Sequence, residues 1–114
     1  MAEYLIDTTD YRNRRVVLHT SLWNVHIARR HPEVRASLSG IEPALKQPDM
    51  VYVAKDSIAH LYYRLGAASR FPLSYLVVLV GYGAEPACVL TIYVTREPSG
   101  SVGRLIHVED KPRH

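Results

Sequence analysis

Hydrophobic and polar residues alternate with a period of two along most of the second half of the chain. Four segments with this pattern are predicted to be strands, with a short fifth one behind them: Met50–Lys55, Ile58–Leu65, Tyr75–Tyr82, Cys88–Thr95 and Arg104–Val108. The connections are short and rich in turn-forming residues, which is typical of an antiparallel meander. Tyr75–Tyr82 is apolar on both sides, as expected of a central strand.

The first half of the chain has mainly helical spacing. After a brief strand at Val16–Leu18, one helix is predicted over Leu22–Arg30 and a second from Glu33 onward. The second helix has an apolar stripe made of Val34, Leu38, Ile41 and Leu45, and Gly40 and Pro43 interrupt it. Residues 1–14 are polar and mixed, so they form either a short edge strand or an arm.

Helices followed by strands predict an α+β fold, with two N-terminal helices packed on one face of a four- to five-stranded antiparallel sheet. No run of apolar residues is long enough to cross a membrane, and no apolar signal core follows Met1. Cys88 is the only cysteine, which excludes an intramolecular disulfide and favours a packed thiol. The sequence therefore predicts a cytoplasmic protein that has no membrane partner.

The alternating pattern also predicts a polar face on the sheet. Successive side chains of a strand point to opposite sides, so each strand offers one apolar and one polar set. The polar sets of two strands would share the face opposite the helices: His60, Tyr62, Arg64, Thr91, Tyr93 and Thr95. Tyrosines that stack on bases and an arginine that holds phosphate suit single-stranded RNA. The alternative is that tyrosine and threonine are simply good strand formers on a half-exposed surface.

Arginines are concentrated in one part of a chain whose formal net charge is only +3. Six of them lie between residues 12 and 35, against the single acid Glu33. The planar guanidinium fork binds phosphate well, so nucleic acid is the leading functional partner for this cluster. A solvated surface without a partner is the alternative interpretation.

The densest chemistry in the sequence lies between Trp23 and Glu33. On a helix, Trp23, His26 and Arg30 form one stripe, and His31 follows at the helix end. Histidines beside arginines suit proton transfer near neutral pH, while packing of Trp23 and His26 between helix and sheet is the alternative. The spacing of the two histidines matches no zinc motif, so neither a metal nor another cofactor is expected.

Several short segments resemble a known group of nucleases. They are His26–Glu33, Pro48–Tyr52, Tyr62–Arg64 and Leu90–Thr95. With the predicted order of elements, they are similar to the fold shared by barnase, EndoU, colicin ribonuclease domains and RelE/ParE-type toxins. More narrowly, they resemble its phage- and bacteria-borne nuclease branch. The resemblance covers about residues 15–97, which would be the core of a single domain over residues 1–114.

The resemblance implies a metal-independent endoribonuclease, a toxin or phage-type effector that cleaves RNA through attack by the ribose 2′-hydroxyl. The predicted catalytic residues are His26, His31, Arg64, Thr91 and Tyr93, and the predicted RNA-binding residues are Arg29, Arg30, His60, Tyr62 and Thr95. The expected partners are mRNA or tRNA, a cognate antitoxin or immunity protein, and a second copy of the chain. The alternative is a non-catalytic RNA- or protein-binding module of the same fold.

Overall fold

The computed structural model describes residues 3–30, 32–55, 58–68, 70–97 and 102–108. Within these residues seven strands form one mixed sheet: β1 (Tyr4–Thr9), β2 (Arg15–His19), β3 (Met50–Ala54), β4 (Ala59–Leu65), β5 (Tyr75–Gly81), β6 (Ala87–Thr95) and β7 (Val102–Val108). Their order across the sheet is β1-β2-β6-β5-β4-β3-β7. Strands β3 to β6 form the antiparallel meander that the alternating pattern predicts, and β5 is the central strand.

The prediction of two N-terminal helices on a four- to five-stranded antiparallel sheet is wrong. The polar first segment contains a full strand, β1, which pairs with β2 and packs Leu5 and Ile6 against the core. The sheet is mixed because β2 runs parallel to β6, with Val16 beside Ala87. A parallel pair needs a long crossover, and the helical segment that follows β2 begins that crossover.

The predicted helix over Leu22–Arg30 is divided into shorter pieces. These are α1 (Thr20–Leu22), a π-helical turn (Trp23–Ile27) and α2 (Ala28–Arg30), followed by a 3₁₀ helix (Pro32–Gly40) and α3 (Ile41–Lys46). β-Branched residues such as Val25 lower helix propensity, and proline at position 43 removes a backbone donor. Gly40 permits a close approach, because a Cβ there would lie 2.3 Å from the carbonyl oxygen of Ala67. No helix in the described part of the chain is long and apolar enough to span a bilayer.

The helical segment covers one side of the sheet, which we call the helix-side face. The predicted apolar stripe lies here: Val34, Ile41 and Leu45 are completely buried, and Leu38 packs against the same core. Burying a side chain of this size contributes about 1.5–3 kcal/mol, so the stripe fixes the helical segment on the sheet although its helices are short.

The other side of the sheet has a smaller apolar cluster, centred on Leu61, Tyr63 and Val77. We call this side of β3 to β6 the tyrosine face, defined by Met50, Tyr52, Tyr63, Tyr75, Leu79 and Tyr93. All the side chains in this cluster come from the four meander strands. The two faces of one sheet therefore have different neighbours.

Candidate functional site

The six residues predicted to share one polar face lie on two different faces. The register pairs Tyr62 with Val78, and both belong to the helix-side core. The next residue, Tyr63, pairs with Val77 in the opposite cluster. Since cross-strand partners project from the same face, the predicted set divides into two groups. His60, Tyr62 and Arg64 lie on the helix-side face, and Thr91, Tyr93 and Thr95 lie on the tyrosine face.

Arg64 lies on the helix-side face but makes a structural contact away from His60 and Tyr62, and the predicted helical residues join neither group. Arg64 donates a hydrogen bond to the carbonyl oxygen of Gln47, the residue that caps the end of α3. A cation satisfies the last carbonyls of a helix, so Arg64 attaches α3 to β4. Arg29 and Arg30 are exposed in α2. His31 lies outside the described residues, as does the side chain of His26.

The most concentrated polar contacts surround Asp10, in the turn that joins β1 to β2. Asp10 is only 3% exposed. Its Oδ1 atom accepts hydrogen bonds from the backbone N–H groups of Arg12, at 2.9 Å, and Arg14, at 3.0 Å. The Asn13 N–H donates to the Asp10 carbonyl at 3.0 Å, and Asn13 takes a left-handed φ of 68°, which asparagine tolerates. A single carboxylate thus fixes the shape of the turn.

The second oxygen of Asp10 binds two tyrosine hydroxyls from the middle of the sheet. Tyr82 donates to Oδ2 at 2.7 Å, and the single hydroxyl proton of Tyr62 is shared between Oδ2, at 3.3 Å, and the Tyr82 hydroxyl oxygen. Burial is the main cause that raises the pKa of both phenols above the ordinary range. Both tyrosines therefore stay protonated and act as donors to the carboxylate.

A histidine lies at each end of this group of rings. His60 packs against Tyr82 with 4.6 Å between ring centroids, and His107 packs against Tyr11 at 4.5 Å. Tyr11 contacts Tyr62 edge-on at 5.9 Å. We call these five residues the aromatic belt. Tyr11 follows the strand at one edge of the sheet and His107 lies in the strand at the other edge, so the belt connects both edges.

Two exposed arginines of the turn extend over the belt. The guanidinium carbon of Arg12 is 5.5 Å from the Tyr11 ring centroid and 6.0 Å from that of Tyr82, and that of Arg14 is 5.4 Å from Tyr82. At distances up to about 6 Å a cation is attracted to the face of an aromatic ring. Because both side chains are exposed, an anion can reach them from solvent. Arg15, by contrast, is paired with Asp7 at 2.7 Å.

The surroundings of His60 favour a neutral imidazole ring. Burial, followed by the charge of Arg12, lowers the pKa of His60 below its ordinary value of 6.5, and the charge of Asp10 only partly opposes this. The Nδ1 atom is buried and has no hydrogen-bond partner among the described residues. Since an imidazolium must donate from both nitrogens, this environment favours the neutral ring at pH 7.

Sequence reasoning selected His60 and Tyr62 but missed Asp10 and Tyr82. Aspartate and asparagine between two apolar runs are a hairpin signal, so the turn could have been found. The hydroxyl contacts to Asp10 join residues that are 52 and 72 positions apart in the chain. No local pattern predicts contacts over such separations.

Cys88 lies in a different part of the molecule. Its Sγ atom is 3.7 Å from Nε2 of His19 and 3.6 Å from the Pro86 carbonyl oxygen. The thiol lines a mainly apolar groove of about 450 Å³ beside β2 and β6. In the described part of the chain, no cluster of three or more His, Cys, Asp or Glu side chains is suited to hold a metal ion.

Comparison with protein-family models, curated proteins and solved structures found no match to this chain. The resemblance to barnase- and RelE-type nucleases therefore stays a prediction from short motifs.

Proposed function

We propose that this protein is a metal-independent endoribonuclease whose reaction centre is the arginine-covered part of the aromatic belt. The observation that supports the proposal is that the half-buried imidazole of His60 packs against Tyr82, the same ring that the exposed guanidinium groups of Arg12 and Arg14 contact. A base for the ribose hydroxyl and cations for the phosphate are the two groups that this reaction requires.

The reaction starts when the ribose 2′-hydroxyl attacks the adjacent phosphorus. The imidazole of His60 accepts the hydroxyl proton while the O2′–P bond forms. Arg12 and Arg14 bind the non-bridging oxygens and stabilise the negative charge of the phosphorane. The P–O5′ bond then breaks, and the leaving oxygen takes a proton from a solvent water molecule. The products are a 2′,3′-cyclic phosphate and a free 5′-hydroxyl.

Asp10 has a positioning role in this proposal. Its Oδ1 atom holds the backbone of both arginines, and its Oδ2 atom holds Tyr82, against which His60 packs. The base and the cations are therefore attached to the same carboxylate. Thr91 and Tyr93 lie on the opposite face of the sheet, so the proposal gives them no part in the reaction.

The test is RNA cleavage in EDTA, with the ends of the products analysed for a cyclic phosphate. His60→Ala and the double variant Arg12→Ala/Arg14→Ala should each lose roughly 100-fold or more in rate, the usual contribution of a general base or an oxyanion group. Arg96→Ala, an exposed arginine just after β6, is the matched control and should cleave like the wild type. An oligonucleotide with one 2′-deoxyribose should be left intact at that position.

Two results would contradict the proposal: wild-type cleavage by His60→Ala, or cleavage at the deoxyribose. Salt-dependent binding of RNA without any fragments would instead support the non-catalytic alternative. Loss of that binding in the double arginine variant would then locate the RNA on the same surface.

A further inference from the structure

The tyrosine face is an uncharged surface on a chain with a formal net charge of +3. None of the described side chains that β3 to β6 place on this side of the sheet is Asp, Glu, Lys or Arg. Tyr63 is completely buried beneath its neighbours, with edge-on contacts to Tyr52 at 5.5 Å and to Tyr75 at 5.8 Å. Tyr52, Tyr75 and Tyr93 are half-buried and form the outer layer.

The composition of this face is that of the centre of a protein–protein interface. Such centres are enriched in tyrosine and methionine and depleted of charge, with charged groups at the rim. Here the exposed Lys55 follows β3, and the exposed Arg96 and Glu97 follow β6. In the described part of the chain the cluster on this face includes only strand residues, so no helix packs over it.

The size of the face is close to what a stable interface needs. Leu105 and Val108 of β7, which are 43% and 56% exposed, pair with β3 and extend the uncharged surface by one strand. Five strands at ~4.8 Å and seven residues at ~3.3 Å span roughly 24 by 23 Å, or about 550 Å² in projection. Because side chains project from the sheet, the accessible area of the face is larger than this projected area. It is therefore close to the roughly 800 Å² per partner that a standard interface buries.

We propose that the tyrosine face binds a second copy of this chain in a two-fold symmetric dimer. A two-fold interface brings the same patch of both subunits together, and a patch without charge can do so without like-charge repulsion. The exposed Arg12 and Arg14 lie over the helix-side belt, so dimerisation through the tyrosine face keeps these cations apart. Single-stranded RNA fits this face less well, because it needs cations beside the stacking rings.

The experiment is sedimentation equilibrium of the full chain over a wide range of concentration. Thr91→Lys and Tyr93→Arg each place a charge on the face. They should raise the dimer dissociation constant roughly 100-fold, because two unpaired charges enter one apolar contact. Leu73→Lys adds the same charge in a turn, at a side chain that is 83% exposed, and should dimerise like the wild type. Far-UV circular dichroism identifies any variant that fails to fold. Thr91→Lys replaces a half-buried polar residue and should fold normally.

Three outcomes would overturn the proposal. The first is a wild-type chain that stays monomeric at every concentration. The second is equal loss of the dimer in Leu73→Lys, which would indicate general charge repulsion. The third is a monomer that binds a single-stranded oligonucleotide and loses this binding in Tyr93→Ala, which would make the face a base-stacking surface. None of these measurements depends on ribonuclease activity.

Discussion

Tyr62 and Tyr63 are consecutive residues of β4, and both are completely buried, yet they belong to two different kinds of surface. The hydroxyl of Tyr62 reaches the carboxylate of Asp10 beneath two exposed arginines. The ring of Tyr63 packs edge-on against other tyrosines on a face without charge. Because residue type and burial are the same for both, the role of each tyrosine depends on which distant part of the chain packs against it.

The largest expected loss of stability comes from removing the Asp10 carboxylate, which binds Tyr62 and Tyr82 of the aromatic belt. Asp10→Ala leaves two backbone N–H groups and the Tyr82 hydroxyl without their acceptor, and should lower the free energy of unfolding by roughly 3–5 kcal/mol. Urea denaturation measures the loss. Asp7→Ala, which removes an exposed partner of Arg15, is the control and should cost much less. Equal losses in the two variants would show that Asp10 is not the centre of the cluster.

The second prediction compares the two neighbouring tyrosines directly. Tyr62→Phe removes a hydrogen bond to a carboxylate and should cost about 1.5–3 kcal/mol of unfolding free energy. Tyr63→Phe keeps the ring that packs against Tyr52 and Tyr75 and should cost less than half as much. Thermal or urea unfolding of both variants, side by side, decides the matter. A larger loss for Tyr63→Phe would reverse the assignment of the polar contact.

A smaller effect is expected where Arg64 meets the end of α3. Arg64→Ala removes a donor to the Gln47 carbonyl and should cost roughly 1 kcal/mol of stability. Because this contact lies away from His60, RNA cleavage should persist at a similar rate. Lost cleavage with unchanged stability would restore the catalytic role that the family resemblance implies for Arg64.

The smallest predicted effect is the pH dependence that His60 gives to stability. Because the folded protein lowers the pKa of His60, the unfolded chain binds the proton more tightly. The contribution of this residue is therefore present above its ordinary pKa of 6.5 and is lost as the pH falls through the folded value. Urea midpoints measured from neutral to acidic pH should fall more steeply in the wild type than in His60→Gln. Parallel curves would mean that the neighbouring arginines and burial do not act on this ring.

The meander and the core stripe could be predicted from the sequence because both depend on local periodicity. The alternation over β3 to β6 predicts strands that do form the meander. The spacing of Val34, Leu38 and Ile41 predicts a stripe that does pack in the core. The sequence pattern does not decide between a strand and an arm for β1, because its polar residues hide an alternation that only the pairing with β2 makes clear. The parallel contact between β2 and β6 depends on the path of the whole chain and has no local signature.

The candidate site was only partly predictable for a related reason. Polarity placed His60 and Tyr62 on an open face, but both side chains have apolar rings that can be buried when the polar atom finds a partner. For Tyr62 that partner is Asp10, in a turn that the sequence pattern did not assign to the sheet. Thr91 and Tyr93 were placed correctly relative to their own strand, yet on the opposite side from Tyr62.

The contact between Tyr11 and His107 has a consequence for the order in which the protein becomes complete during synthesis. The turn containing Asp10 and Tyr11 leaves the ribosome before β2 to β7, whereas the strand with His107 is the last of the described strands to be made. In a nascent chain the Asp10 turn can bind Tyr82 once Tyr82 has emerged. His107, at one end of the belt, is then still missing. If the belt is the reaction centre, a partly synthesised chain on its own messenger RNA has an incomplete centre. The belt is then complete only after β7 has been translated.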